Sequence, residues 1–225
     1  MNSLKGWIGE QKTKLYLWLW LSNKRYVRYH DIVLASNNGT TQIDHLVIST
    51  FGVFIIETKN KKGWIFGSEK GAKWTQTIYG KKYSFQNPLR QTYRQKKVLS
   101  ALLEIDESKI QTVIYFVGDC KFKTSMPANV LKYGISRYIK EFSLPVFSNE
   151  EVDILLATVQ AHLSSHQISR KEHIQSLNER HTSNTICPKC GSDLAVRIVK
   201  KGSKSGTSFL GCSSFPKCRF SKGLK

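Results

Sequence analysis

Asp44, Glu57 and Lys59 are three ionisable residues set in an otherwise oily stretch, TQIDHLVISTFGVFIIETKN, that runs from Thr41 to Asn60. Two apolar runs, Ile43 with Leu46–Ile48 and Val53–Ile56, flank the turn-forming Ser49-Thr50-Phe51-Gly52, which predicts a β-hairpin with strands over roughly 42–49 and 53–60. Side chains alternate along a strand, so Glu57 and Lys59 share one face while Ile56 and Thr58 share the other. Acids in a mostly buried sheet are costly unless their charge is compensated. A divalent cation held by one or two carboxylates, with water and substrate phosphate completing its shell, would do so; that describes a magnesium site. A lysine on the same face would position the attacking water or offset charge developing on a phosphate. The same spacing also suits an ordinary Glu–Lys ion pair on a solvated sheet edge.

The second constellation is sulfur. Cys187-Pro-Lys-Cys190 is followed, after 21 residues, by Cys212 and Cys218 with five residues between them. Four thiolates in two close pairs suit a closed, tetrahedral, structural zinc site. In so short a segment the metal would supply most of the folding free energy. A redox role for the CxxC pair lacks the βαβ context that it needs. The fifth cysteine, Cys120, reads as a packing or surface residue. From Cys187 onward nine basic residues face only Asp193, with Phe209, Phe215 and Phe220 among them. Phosphate attraction and base stacking by Lys189, Arg197, Lys200, Lys201, Phe215, Lys217 and Arg219 suit single-stranded nucleic acid; Phe209 is the best candidate to fill the small core instead.

The whole chain carries the same bias. Its 225 residues hold 35 Lys+Arg against 16 Asp+Glu, a net charge of +19, which implies a polyanionic partner. A hydrophobic content of 40% supports one full core with a small appendage. The apolar Leu15–Leu21 run (LYLWLWL) is too short to span a bilayer, which takes about 20 residues, and reads as a buried helix end. No membrane partner is expected, and a membrane-surface role for Trp18, Trp20 and the basic charge is set aside. Clustered cysteines point to a reducing compartment, hence the cytoplasm with association to the nucleoid. No protein partner is legible.

The elements that must position these groups follow from periodicity. A helix over 3–21, capped by Ser3, has Leu4, Trp7, Ile8, Leu15, Trp18 and Leu19 near helical spacing and carries Glu10 after Gly9. A strand over 25–34 ends in the Ser36-Asn37-Asn38-Gly39 turn; a short strand at 63–67 continues the meander, and strands at 73–78 and 82–85 flank a Tyr79-Gly80-Lys81 turn. Asn87-Pro88 opens a helix of about 15 residues, with Leu89, Val98, Leu99, Leu102 and Leu103 as its buried stripe. Arg90, Arg94, Lys96 and Lys97 make that helix basic, with Gln91, Tyr93 and Gln95 between them. A buried strand covers 111–118, a further helix runs from Ser148 to about His162, and 164–185 reads as linker or frayed helix. His162, His166, His173 and His181 read as surface residues, and neither an HExxH zinc motif nor a GxxxxGK phosphate loop is present.

Gly9-Glu10, Gln42-Ile43-Asp44-His45, Gly52 through Asn60, Gly63, Trp74 and Asn87-Pro88…Gln91 together resemble the nuclease-related domain (NERD) family over roughly residues 5–120. The resemblance implies an α/β, restriction-endonuclease-like (PD-(D/E)xK) fold, a mixed sheet flanked by helices. It places Asp44, Glu57 and Lys59 at metal-and-water positions, adds Glu10 as an acidic ligand from the first helix, and sets Gln91 near the site. CPKCGSDLAVRIVKKGSKSGTSFLGCSSFPKCRF resembles the four-cysteine zinc finger at the C-terminal ends of bacterial type I topoisomerases, which implies DNA binding. The expected organisation is therefore a nuclease-like domain over 1–163, a linker over 164–185 and a zinc-ribbon-like finger over 186–225. The expected function is hydrolysis of phosphodiester bonds in DNA, with Mg2+ or Mn2+ on Asp44, Glu57 and Glu10. Arg90, Arg94 and Lys97 would orient the strand, and a finger holding structural Zn2+ would grip single-stranded or distorted DNA. The alternative is a DNA-structure-binding module on a nuclease-like scaffold that does not cut.

Overall fold

The apolar hairpin forms as expected. In the computed structural model, which describes residues 4–36, 39–203 and 205–224, β2 (Gly39–Ser49) pairs antiparallel with β3 (Gly52–Lys59), Ser49 opposite Gly52 and His45 opposite Ile56. Only Thr50 and Phe51 separate the strands, and Gly52 takes a φ of +134°, where a side chain is disfavoured. The expected cap Ser3, the turn residues Asn37 and Asn38, and the finger's Lys204 and Lys225 lie outside the described residues. The chain divides into two compact units, one taking in residues up to Leu34 and Gln42–Gln167, the other Ala35–Thr41 and the chain from Ile168 onward.

In the first unit the hairpin is the centre of a five-stranded sheet in the order β1-β2-β3-β7-β9, with β1 at Val27–Ser36, β7 at Ile110–Phe116 and β9 at Val130–Leu131. β3–β7 and β7–β9 run parallel, so the sheet is mixed. Its faces follow the alternation of β3. Val53 and Ile55 pack with Leu99 and Leu103 of α2 (Pro88–Leu103) and with Leu155 and Val159 of α4 (Asn149–Ser165). Phe54 and Ile56 pack with Leu17 of α1 (Leu4–Trp20) and with Ile135 and Ile139 of α3 (Ile135–Glu141). Each such side chain, once buried, contributes about 1.5–3 kcal/mol, so both faces of the hairpin hold the unit together.

Two sequence expectations are corrected here. The strand at 63–66 does not continue the meander; as β4 (Gly63–Phe66) it starts a second sheet, β6-β5-β4-β8. β5 is Lys73–Ile78, β6 is Lys81–Gln86 and β8 is Cys120–Phe122. The chain turns away at Gly63, whose φ is +76° and where a Cβ would lie 2.3 Å from the Thr77 carbonyl oxygen. Ile65, Trp74 and Cys120 then bury against Ile114 and Phe116 of the first sheet, so Cys120 is a packing residue. Secondly, the LYLWLWL run is not a buried helix end. Leu17 and Leu21 are buried, but Leu15, Tyr16, Trp18, Leu19 and Trp20 are 46–61% exposed; Trp7, at 55%, and Ile8, at 38%, are exposed too. Among the described residues no helix is long and apolar enough to cross a membrane.

The second unit contains α5 (Arg170–Thr182) and a three-stranded antiparallel sheet of β10 (Leu194–Ile198), β11 (Ser208–Cys212) and β12 (Ser221–Gly223). The helix in the 164–185 stretch starts from a reciprocal capping box between Ser169 and Glu172. His173, expected at the surface, is buried; its Nδ1 lies 2.7 Å from Thr40 Oγ1. The side chain of His181 lies outside the described residues.

Candidate functional site

The acidic site forms where β3 ends beside β7, Lys59 opposite Phe116. The carboxyl end of parallel strands is where open α/β sheets place ligands. α1 reaches this edge because Gly9 has no side chain: a Cβ there would sit 2.8 Å from Asn60 Cβ and 3.0 Å from Val117 Cγ2. The neighbouring Thr13, fully buried, donates its hydroxyl to the Gly9 carbonyl at 3.1 Å and accepts one from Thr58 Oγ1 at 3.1 Å, fixing the helix against the strand. Glu10 is thereby held half-buried beside β3.

Glu57 is the centre of the arrangement and is 2% exposed. Its Oε1 accepts from Lys59 Nζ at 2.5 Å and from Gln91 Nε2 at 2.8 Å; its Oε2 accepts from Gln95 Nε2 at 3.0 Å. Lys59 Nζ also donates to Gln91 Oε1 at 3.1 Å, and Gln95 Nε2 to the Gln42 carbonyl at 2.8 Å. Both glutamines come from the first turns of α2, whose start is fixed by Asn87. Fully buried, Asn87 caps Leu89 N–H through its side-chain oxygen and donates to the carbonyls of Ser68, Glu69 and Gly71. The predicted grouping of Glu57, Lys59 and Gln91 is therefore present. Gln95 belongs with it, and its signal was legible: it stands one helical turn after Gln91, on the same face of α2.

Asp44 follows from the hairpin register: His45 pairs with Ile56, so the next cross-strand position sets Asp44 opposite Glu57, on the same face. Asp44 Oδ2 then accepts the Thr58 N–H at 2.8 Å. Burial raises the Asp44 carboxyl well above the usual range and Glu57 raises it further, against the Thr58 bond and Lys59. Glu10 is raised as well, by burial, by Asp31 and by Glu57. Burial pulls Lys59 down, but Glu57, Asp44 and Glu10 outweigh it and the ammonium is held above its usual range. Lys59 is thus a fixed cation at neutral pH, not a proton acceptor. The three acids feel one another electrostatically, but as a trio their oxygens do not gather within 4.8 Å. Beside them the His45 Nδ1 lies 2.8 Å from His30 Nδ1. Burial lowers His45 to about 3 and His30 to about 4, helped by Lys14, so both rings are neutral at pH 7.

The basic residues assigned to DNA on α2 divide. Arg90 is half-buried and donates to the Lys70 carbonyl at 2.7 Å, and Lys97 pairs with Glu107. Arg94 is only 5% exposed, so it presents no surface to a phosphate and the expectation for it is withdrawn. It stands three residues after Gln91 and four before Val98, which packs against the core, and so shares their side of α2.

In the finger, Cys187, Cys190, Cys212 and Cys218 bring their sulfurs within 4.8 Å of one another, with Cys187–Cys218 at 3.7 Å and Cys190–Cys212 at 3.3 Å. Those spacings are too long for disulfides, which need about 2.05 Å. They match the roughly 3.8 Å between sulfurs of a tetrahedron with Zn–S of about 2.3 Å, so the residues fit a structural Zn2+. Phe220 packs on the cysteines, whereas Phe209, expected to fill this core, is only half-buried beside the buried Leu210. Lys200, Lys201, Lys217 and Arg219 are exposed, and so is Phe215 at 56%. Arg197 donates to the Cys212 carbonyl at 3.0 Å and lies 5.6 Å from the Phe215 ring centre; Lys189 lies 5.5 Å from that of Phe220.

Comparison with known proteins agrees with both halves. A family model for the nuclease-related domain matches residues 5–117, half of the chain, and one for the topoisomerase DNA-binding C4 zinc finger matches residues 184–225. An uncharacterized protein of Bacillus anthracis is 37% identical over 183 residues, covering 78% of this chain and 85% of the relative. DNA topoisomerase 1 of Mycoplasma genitalium is 34% identical over 91 residues, 40% of this chain but 10% of that protein. Uncharacterized protein YrdD of Escherichia coli is 44% identical over 43 residues, 19% of this chain and 21% of YrdD. No solved structure matches the chain. The chain therefore belongs to the nuclease-related domain family, and joins its nuclease-like α/β unit to a topoisomerase-type four-cysteine zinc finger.

Proposed function

We propose that the chain hydrolyses phosphodiester bonds in DNA with the aid of a divalent cation, and that its finger holds single-stranded or distorted DNA. The observation that carries this reading is the bonding of Glu57, a buried carboxylate fixed by Lys59, Gln91 and Gln95 with Asp44 and Glu10 beside it. Three acids lie about one ammonium, and two of them are raised, first by burial and then by their acidic neighbours; negative charge on hard oxygens is what a Mg2+ or Mn2+ ion would offset. A carboxylate has about four lone-pair positions. Glu57 uses three of its own on side chains, and Asp44 uses Oδ2 on Thr58. Asp44 and Glu57, assisted by Glu10, would hold the ion, which when bound supplies Lewis-acid activation of water and neutralises phosphate charge.

The chain's own residues do the rest. Lys59, fixed as an ammonium, stabilises charge developing on the phosphate oxygens and orients the water. Gln91 and Gln95 hold Glu57 in one rotamer, so little reorganisation is needed as the reaction proceeds. The exposed cations of the finger keep the DNA near the site by phosphate attraction. One observation favours the binding-only alternative: both oxygens of Glu57 are already engaged by side chains.

The test is incubation of purified protein with linear, nicked and single-stranded DNA in Mg2+, Mn2+ or chelator. Metal-dependent products are expected from the wild type, and none from Lys59→Ala or Asp44→Asn, whose DNA affinity stays nearly intact. Variants that cut as well as the wild type would remove the site assignment. A wild type that leaves every substrate whole would favour the binding module.

A further inference from the structure

The second sheet presents an outward face that the acidic site does not use. Register places Lys121, Trp64, Thr77 and Lys82 in one row across β8, β4, β5 and β6. Two residues along, Phe66, Thr75 and Ser84 form the next row, and Lys123 follows β8 beside them with its N–H on the Ile65 carbonyl at 2.9 Å. The alternate residues Ile65, Trp74 and Cys120 fill the core, so strand geometry drives Trp64 and Phe66 to solvent, where they are 50% and 36% exposed. Lys123 Nζ lies 4.4 Å from the Trp64 ring centre. Tyr79, at the tip between β5 and β6, is fully exposed. A cleft of about 650 Å3 runs beside the row, lined among others by Lys62, Trp64, Thr77, Tyr79 and Lys121. Segments 61–86 and 119–123 carry eight lysines against Glu69 and Asp119.

We propose that this face is a docking platform for single-stranded nucleic acid, with Trp64, Phe66 and Tyr79 stacking bases and Lys62, Lys121 and Lys123 meeting phosphates. It rests on the nuclease reading only for the nature of the ligand, and would feed a strand toward Lys59, since just Asn60, Lys61 and Lys62 separate β3 from β4. Exposed rings between rows of ammonium groups fit a ligand that offers flat apolar faces and regular negative charge together. A single strand offers both. A duplex keeps its base faces inside, and an acidic polypeptide has charge without rings.

The experiment uses the zinc-loaded full chain without added Mg2+ or Mn2+ and measures anisotropy of a fluorescent oligothymidylate, the same strand annealed to oligoadenylate, and a labelled polyglutamate. Trp64→Ala should weaken single-strand binding on the order of tenfold with duplex binding unchanged and the melting temperature preserved, while Trp64→Tyr keeps most of the affinity. Joint Lys121→Ala and Lys123→Ala should flatten the salt dependence of single-strand binding by roughly 1.4 in log–log slope. Photocrosslinking of a strand bearing iododeoxyuridine should mark the peptide containing Trp64 or Tyr79. Unchanged binding by Trp64→Ala, an equal loss on duplex, polyglutamate binding with the same Trp64 dependence, or crosslinks confined to the finger would each overturn the platform. Loss of strand binding in Trp64→Ala of a protein that never cuts DNA would uphold the platform while removing the nuclease reading.

Discussion

Asp44→Asn is expected to stabilise the first unit in the absence of a divalent cation. The Asp44 carboxyl is held well above its unfolded value of 3.8, first by burial and then by Glu57. A carboxyl raised on folding binds its proton more tightly in the folded state, so stability falls as pH climbs from the unfolded value through the folded one. At neutral pH the ionised group is therefore a burden, worth about 1.4 kcal/mol for each unit by which it is raised. Asparagine keeps an oxygen for the Thr58 N–H, 2.8 Å away in the wild type, and drops the charge. The weaker neutral hydrogen bond costs asparagine about 1 kcal/mol, which the relief of the buried charge is expected to outweigh. Each 1 kcal/mol of net gain corresponds to a rise in Tm of about 2–4 °C at this size. Thermal melts followed by circular dichroism in chelator, at pH 8 and pH 5, read the effect. The gap between variant and wild type should be widest at pH 8 and shrink toward pH 5; the depressed His30 and His45 weaken both proteins alike on acidification and cancel. Added Mn2+ should raise the wild type more than the variant. A variant that melts below the wild type in chelator at pH 8, or a gap indifferent to pH, would refute the reasoning.

Two further outcomes follow from the same geometry. Gln95→Leu strips a donor from Glu57 Oε2 and from the Gln42 carbonyl, and should cost about 1–3 kcal/mol in denaturant titration and lower metal-dependent cleavage by roughly 10–100-fold. Cys212→Ser should lose zinc, about one ion per chain by metal analysis, and lose amide protection in β10–β12 while the first unit melts as before.

The hairpin, α2 and the cysteine quartet were legible because their signals are local: alternation around a tight turn, an Asn-Pro helix start, paired thiols. The grouping of Glu57 with Lys59 needed only the two-residue period of a strand. What was missed depends on contacts distant in sequence. The apolar spacing of α1 points its bulky residues inward, yet Gly9 and Thr13 face the sheet because the helix must pass within van der Waals contact of Asn60 and Val117; Trp7 and Trp18 are turned out as a result. β8 and β9, three and two residues long, carry too few side chains to show a period. Arg94 lies among basic surface positions in sequence and in the core in space, since helix phase and not charge decides which side chains are covered.

The central claim is that Glu10, Asp44 and Glu57 grip a divalent cation next to Lys59. The most direct measurement is Mn2+ binding, by electron paramagnetic resonance on zinc-loaded protein, for the wild type, Asp44→Asn and Glu57→Gln. A saturable Mn2+ site in the wild type that disappears in both variants is the predicted result. Absence of that site in the wild type, or its survival in the variants, would contradict the account.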